Sequence, residues 1–105
     1  MIKLYYFTGE TRPITIQRVT ADGANEDLTG AVVTYIIKNL SSQAITSGST
    51  TVATLSSGSY TFNPSATTFI SASTYRLVFK EELNGHTSYY PLSTDGDISI
   101  QVSNL

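Results

Sequence analysis

The 105-residue sequence contains no cysteine, no tryptophan, one histidine and three prolines. Without cysteine there is no disulfide framework and no thiolate metal site. With one histidine there is no site built on a His pair. Charge is scarce as well: six Lys and Arg and eight Asp and Glu make up 13% of the chain, about half the usual share of a soluble domain, near 25%. A net charge of −2 leaves no basic footprint for nucleic acid. No stretch approaches the roughly 20 apolar residues of a membrane span. The opening Met1–Glu10 does not read as a secretory signal. Its apolar run is short, holds Lys3 and turns polar at Thr8. Synthesis and retention in a cytoplasm is the expectation.

What the chain has in excess is hydroxyl. Fourteen Ser and sixteen Thr account for 30 of 105 residues. Most proteins keep their surfaces soluble with Lys and Glu; here Ser, Thr, Asn and Tyr must do so. Thr and Tyr are also strand formers. The length fits one domain over residues 1–105, since domains commonly run about 100–150 residues.

The hydrophobic period is two. Pro13 opens a run in which Ile14 and Ile16 share a face, with Arg18 a possible continuation of it. Ala31–Leu40 places Val33, Tyr35 and Ile37 opposite Val32, Thr34, Ile36 and Lys38. Apolar residues on both faces indicate a central or partly covered strand. Thr50–Leu55 is weaker. Ser59–Asn63 aligns Tyr60 with Phe62, and Tyr75–Leu83 alternates Tyr75, Leu77 and Phe79 against Arg76, Val78 and Lys80. His86–Leu92 and Asp97–Val102 follow, and Ile2–Phe7 precedes them all. The predicted core is Val33, Tyr35, Ile37, Tyr60, Phe62, Tyr75, Leu77 and Phe79.

Turn chemistry separates these runs at Gly9, Asp22-Gly23, Thr29-Gly30, Ser57-Gly58, Asn84-Gly85 and Asp95-Gly96. Asn84-Gly85 predicts a two-residue type I′ hairpin with positive φ at both positions. Ser56-Ser57-Gly58 reads as a three-residue hairpin loop. Pro64–Ala72 is the one place where a helical turn is expected, capped by Asn63. Seven to eight short strands with such turns describe an all-β, immunoglobulin-like antiparallel sandwich, with a barrel as the alternative. Tyr75 stands where such domains carry a corner tyrosine bonded to the backbone just upstream. The residue types around it, Ser71-Ala72-Ser73-Thr74, do not follow the usual pattern, and an ordinary core tyrosine is the other reading.

Catalytic and metal-binding patterns are weak. His86 and Ser88 lie two apart on one strand face beside a turn, with no orienting acid or oxyanion donor marked. Glu26, Asp27, Glu81, Glu82, Asp95 and Asp97 fall in turns or at strand ends, where solvated acids are expected rather than paired catalytic carboxylates. Asp22, Asn25, Glu26 and Asp27, or Asp95 and Asp97, do not match a calcium-loop spacing. They read as turn residues using side-chain hydrogen bonds. The expectation is a non-enzyme without metal or cofactor.

Four segments together resemble the immunoglobulin-like domain at the N-terminus of tailed-phage baseplate upper proteins. They are Thr8-Gly9-Glu10-Thr11-Arg12-Pro13-Ile14-Thr15-Ile16, Asp27-Leu28-Thr29-Gly30-Ala31 with the strand that follows, Gly58-Ser59-Tyr60-Thr61-Phe62, and Ser73-Thr74-Tyr75-Arg76-Leu77-Val78-Phe79. Their order and spacing agree over roughly residues 8–103. The sequence departs from that pattern at Ser73, where the family usually has Gly. The family domain usually fronts a longer protein, whereas this sequence ends at Leu105.

The resemblance implies a structural protein of a virion, made in the bacterial host cytoplasm. It would be an accessory capsid (decoration) component or a neck or tail component, contacting major capsid, neck or tail proteins. Neither nucleic acid nor membrane is an expected partner, and self-association is left open. The alternative is a receptor- or carbohydrate-binding module on a virion or cell surface. The candidate contact residues are Ile2, Leu4, Tyr5, Tyr6, Phe7, Tyr89 and Tyr90. They form apolar strands with Lys3 as the sole nearby charge to guard an edge, in which one tyrosine of each adjacent pair should face outward. The strand Ile2–Phe7 is expected to belong to this sandwich rather than to a neighbour's sheet.

Overall fold

A computed structural model describes residues 2–39, 44–50, 52–91 and 98–105. The predicted Asp95-Gly96 turn and the acids Asp95 and Asp97 lie outside the described residues. The strands are β1 (Ile2–Phe7), β2 (Ile14–Gln17), β3 (Val32–Lys38), β4 (Ala44–Ser49), β5 (Val52–Thr54), β6 (Ser59–Phe62), β7 (Ser73–Leu83), β8 (His86–Tyr90) and β9 (Ile98–Ser103). A single 3-10 turn, Leu55–Ser57, is the only helical element among the described residues.

The strands form two sheets. One has six strands in the order β1-β9-β7-β3-β4, with β8 also paired to β7; the other has three, β2-β6-β5. The expected all-β architecture is present, with two corrections. Among the described residues there are nine strands rather than seven or eight, β4 being the strand that the sequence pattern does not mark. The large sheet is also mixed, since β1 runs parallel to β9.

β7 organises the large sheet. One edge pairs with β3 from Arg76 to Glu82. Its other edge is shared end to end: β9 takes Ser73–Leu77 and β8 takes Phe79–Leu83. The β7–β8 hairpin turns at Asn84 (φ 52°) and Gly85 (φ 77°), flanked by the pair Leu83–His86, as the Asn-Gly dipeptide predicts.

The inner faces follow the period-two pattern. Ile14, Ile16, Tyr60 and Phe62 of the small sheet face Val33, Ile37, Tyr75, Leu77, Phe79, Ile98, Ile100 and Val102 of the large one, all buried. Of the predicted core, only Tyr35 is partly exposed; it packs on the core with its ring 4.5 Å from that of Phe62.

The segment 63–72 forms turns rather than the predicted helical turn. Ser65 N–H donates to Thr68 Oγ1 at 2.9 Å and Thr68 N–H to the Ser65 carbonyl at 3.1 Å. Such hydroxyl bonds compete with helix formation. The fully buried Phe69 ring anchors the segment, with centroids 5.4 Å from Tyr6 and 5.6 Å from Tyr75. The Tyr75 hydroxyl donates to the Ser71 carbonyl at 2.9 Å, so the tyrosine does close a corner onto the backbone just upstream.

Candidate interaction face

Register assigns the outer face of the large sheet. Residues paired across strands project to the same side. Tyr5 aligns with Gln101 and Thr74, and Lys3 with Ser99, Arg76 and Lys38. Tyr89 aligns with Lys80, Thr34 and Ser49. The face therefore mixes hydroxyl and amide groups with four of the chain's six cations, Lys3, Lys38, Arg76 and Lys80, and carries aromatic rings at two corners. Tyr5 is 65% exposed, Phe7 53% and Tyr89 49%. Along β7 the Tyr5 and Tyr89 rows are six residues apart, about 20 Å at the strand rise. They are two patches rather than one. Lys80 pairs with Glu82 at 3.0 Å, which holds its ammonium pKa above the ordinary lysine value.

The remaining candidate contact residues sit differently. Tyr6 is only 3% exposed, because even-numbered positions of β1 face inward; its ring belongs to the core and drops out of the surface set. Burial pushes its hydroxyl pKa up, against the lowering effect of Arg12. Leu4 and Tyr90 are partly buried against the core, and Ile2 remains exposed at the start of β1. Of the two adjacent tyrosine pairs, Tyr5 and Tyr89 are the outward members.

β1 is an edge strand, and its guard is not Lys3. Arg12 Nη2 donates to the Tyr5 carbonyl at 2.7 Å, and Phe7 N–H donates to Glu10 Oε1 at 3.0 Å. Arg12 and Glu10 are themselves paired at 3.1 Å, and the Arg12 guanidinium lies 4.4 Å over the Tyr6 ring. The turn after β1 thus folds two side chains back onto the edge's outward backbone groups.

A second cluster bridges the sheets, and sequence reasoning missed it. Glu81, read as a solvated strand-end acid, is 5% exposed on the inner face of β7. Arg18 Nη1 reaches both its oxygens, at 3.0 and 3.1 Å, and the Tyr60 hydroxyl donates to Oε2 at 2.5 Å. Arg18 Nη2 also approaches Glu26 at 3.6 Å, and its guanidinium stacks 5.0 Å over Tyr90. Burial, then the neighbouring carboxylate, drives the Tyr60 hydroxyl pKa far above the usual tyrosine value. The available signal was period two: Glu81 continues the inward series Tyr75, Leu77, Phe79.

The other candidates are separate. His86 and Ser88 are exposed; they share a 210 Å³ cavity with Arg18 and Glu81, whose carboxylate is already bonded to Arg18 and Tyr60. Asp27 Oδ1 accepts from the Thr29 hydroxyl at 2.5 Å and the Thr29 N–H at 2.9 Å; the same two bonds lower its pKa. Asp22 is held low in the same manner by the Thr20 hydroxyl. Among the described residues no three His, Cys, Asp or Glu gather in a way that could hold a metal. No family model and no curated protein matches the chain.

Proposed function

We propose that the chain is an immunoglobulin-like sandwich acting as a non-enzymatic structural protein of a tailed-phage virion, at the capsid surface, neck or tail. Strand order supports the fold. Taken as A′ (β1), B, C, C′, D, E, F (β7) and a G strand divided into β8 and β9, the sheets read A′GFCC′ and BED. A variable-type immunoglobulin domain likewise extends its GFC sheet with C′, and the Tyr75–Ser71 bond stands at the matching corner. The phage attribution rests on the four-segment resemblance.

The observation that carries the role is the outer face of the large sheet: exposed Tyr5, Phe7 and Tyr89 on a surface of hydroxyl, amide and cationic side chains. Aromatic anchors dominate interface energies, and losing one can cost about 2 kcal/mol or more. Repeated weak contacts in an array add by multivalency. The test is co-sedimentation of the tagged chain with purified particles, empty heads and detached tails. Folded Tyr5→Ser and Tyr89→Ser variants should load at least about tenfold less well. Equal loading of these variants removes this face from the contact. Binding of the isolated chain to a glycan array, with none to particles, would replace this reading by the receptor-binding one.

A further inference from the structure

The two edges of the large sheet are treated differently. At β1 the outward C=O of Tyr5 and N–H of Phe7 are taken by Arg12 and Glu10. At β4 the sequence is Ala44-Ile45-Thr46-Ser47-Gly48-Ser49, without charge or proline, and every residue but Gly48 is exposed. No described strand pairs with its far edge. Proteins usually guard such an edge with charge, proline or a cover.

We infer that β4 pairs antiparallel with β4 of a second copy, across a two-fold axis centred on Ser47. The parity follows from one bond. Thr50 N–H donates to the Val33 carbonyl at 3.2 Å, in the same register that pairs Tyr35 with Gly48 and Ile37 with Thr46. Thr46 and Gly48 therefore turn their backbone groups toward β3, and Ser47 and Ser49 turn theirs outward. Antiparallel mating sets outward residues opposite outward ones, and in the register centred on Ser47, Ser47 faces Ser47 and Thr46 faces Gly48.

That register is self-complementary. It sets no charge against its like, and it places each Thr46 opposite a residue with no side chain. Gly48 is needed there by its own copy, since a Cβ would lie 2.9 Å from the Tyr35 hydroxyl oxygen. The inward side of the added strand would cover a 310 Å³ groove lined by Tyr35, Ile45, Thr46, Ser65, Thr67 and Thr68, whose hydroxyls match Thr46 of the incoming strand. The register slip between Ile37 and Lys38 limits the regular pairing to the Thr46 end of β4 and beyond. The contact is short, and the dimer is a weak, concentration-dependent one.

The experiment is sedimentation velocity with amide hydrogen exchange on the full chain, from about 10 µM to about 1 mM, a range that brackets weak association. A monomer–dimer equilibrium is expected, with the Ser47 amide gaining protection as concentration rises. Thr46 and Gly48 should be protected throughout. Ser47→Pro removes an N–H that β3 does not use, a position where edge strands tolerate proline. Ser47→Lys sets two like charges face to face. Each folded variant should raise the dimer Kd at least about tenfold. The inference is overturned by a wild-type monomer at about 1 mM, by open-ended growth, or by folded variants that dimerise like wild type. It is also overturned if the Ser47 amide slows only when another protein is added.

Discussion

Removing Arg18 tests how the two sheets are held together. In Arg18→Met the Glu81 carboxylate stays inside the sandwich and keeps the Tyr60 hydroxyl, but loses both guanidinium contacts. Breaking a buried pair from one side costs about 3–5 kcal/mol, because an uncompensated charge remains. The lower end applies here, since the Arg18 side chain is itself 14% exposed and the site adjoins a cavity that admits water. Against a total stability of about 5–15 kcal/mol for a domain, that is a large fraction. The triple change Arg18→Met, Glu81→Leu, Tyr60→Phe removes the buried carboxylate with both its donors, leaving only the more exposed Glu26, and should recover most of the loss, as replacement of buried ion pairs by apolar groups often does. Urea unfolding followed by far-ultraviolet circular dichroism reads both. With a slope of about 1–3 kcal/mol per molar urea, the single variant should move the midpoint down by about 1 M or more. The reasoning is refuted if Arg18→Met unfolds within about 1 kcal/mol of wild type, or if the triple variant is no more stable than the single one.

Two further outcomes follow from the same coordinates. Gly58→Ala should lose more than about 3 kcal/mol, because a left-handed backbone (φ 73°) costs about 1–2 kcal/mol for an L-residue and the added Cβ would lie 2.5 Å from the Glu26 carbonyl oxygen and 2.8 Å from that of Arg18. Gly23→Ala, with the same sign of φ and nothing within 4 Å, should lose only the backbone part; equal losses in urea titrations would exclude the close-approach argument. In alkali, Tyr60 keeps its proton in the fold and releases it near the ordinary tyrosine pKa of about 10 when unfolded. The native state then binds more protons, so stability falls as pH rises above that value, by up to about 1.4 kcal/mol per pH unit for this group. Tyr60→Phe should flatten the pH dependence measured between about pH 10 and pH 12, and an unchanged slope would assign the loss to other groups.

Where local pattern and tertiary role agree, the chain is readable. Alternation over Val33–Ile37, Tyr60–Phe62 and Tyr75–Phe79 marks the inner face, and Asn84-Gly85 specifies its hairpin. β4 escapes because Ala-Ile-Thr-Ser-Gly-Ser has turn-like composition and no apolar alternation; its strand conformation comes from pairing with β3, a tertiary effect that outweighs propensity. Glu81 escapes because an acid reads as solvated until its partners, Arg18 and Tyr60, arrive from 63 and 21 residues away. The guarding of β1 by Glu10 and Arg12 depends on how the following turn folds back. Of the candidate contact face, the outward tyrosines follow from strand parity once β1 and β8 are placed, whereas the separation of their two patches needs the sheet order.

The parallel pairing of β1 with β9 has a consequence for the timing of folding. Its partners, such as Ile2 and Ile98, stand 96 positions apart in the chain. Contacts of such sequence separation carry the largest loop-closure cost and slow folding. At about 5–20 residues per second, β1 is synthesised about 5–19 s before its partner. During that interval the parallel partner of Tyr5, Tyr6 and Phe7 does not yet exist. The two side chains that seal the finished edge lie within seven residues of the backbone groups they bond, so that contact closes locally whereas the β1–β9 pairing does not.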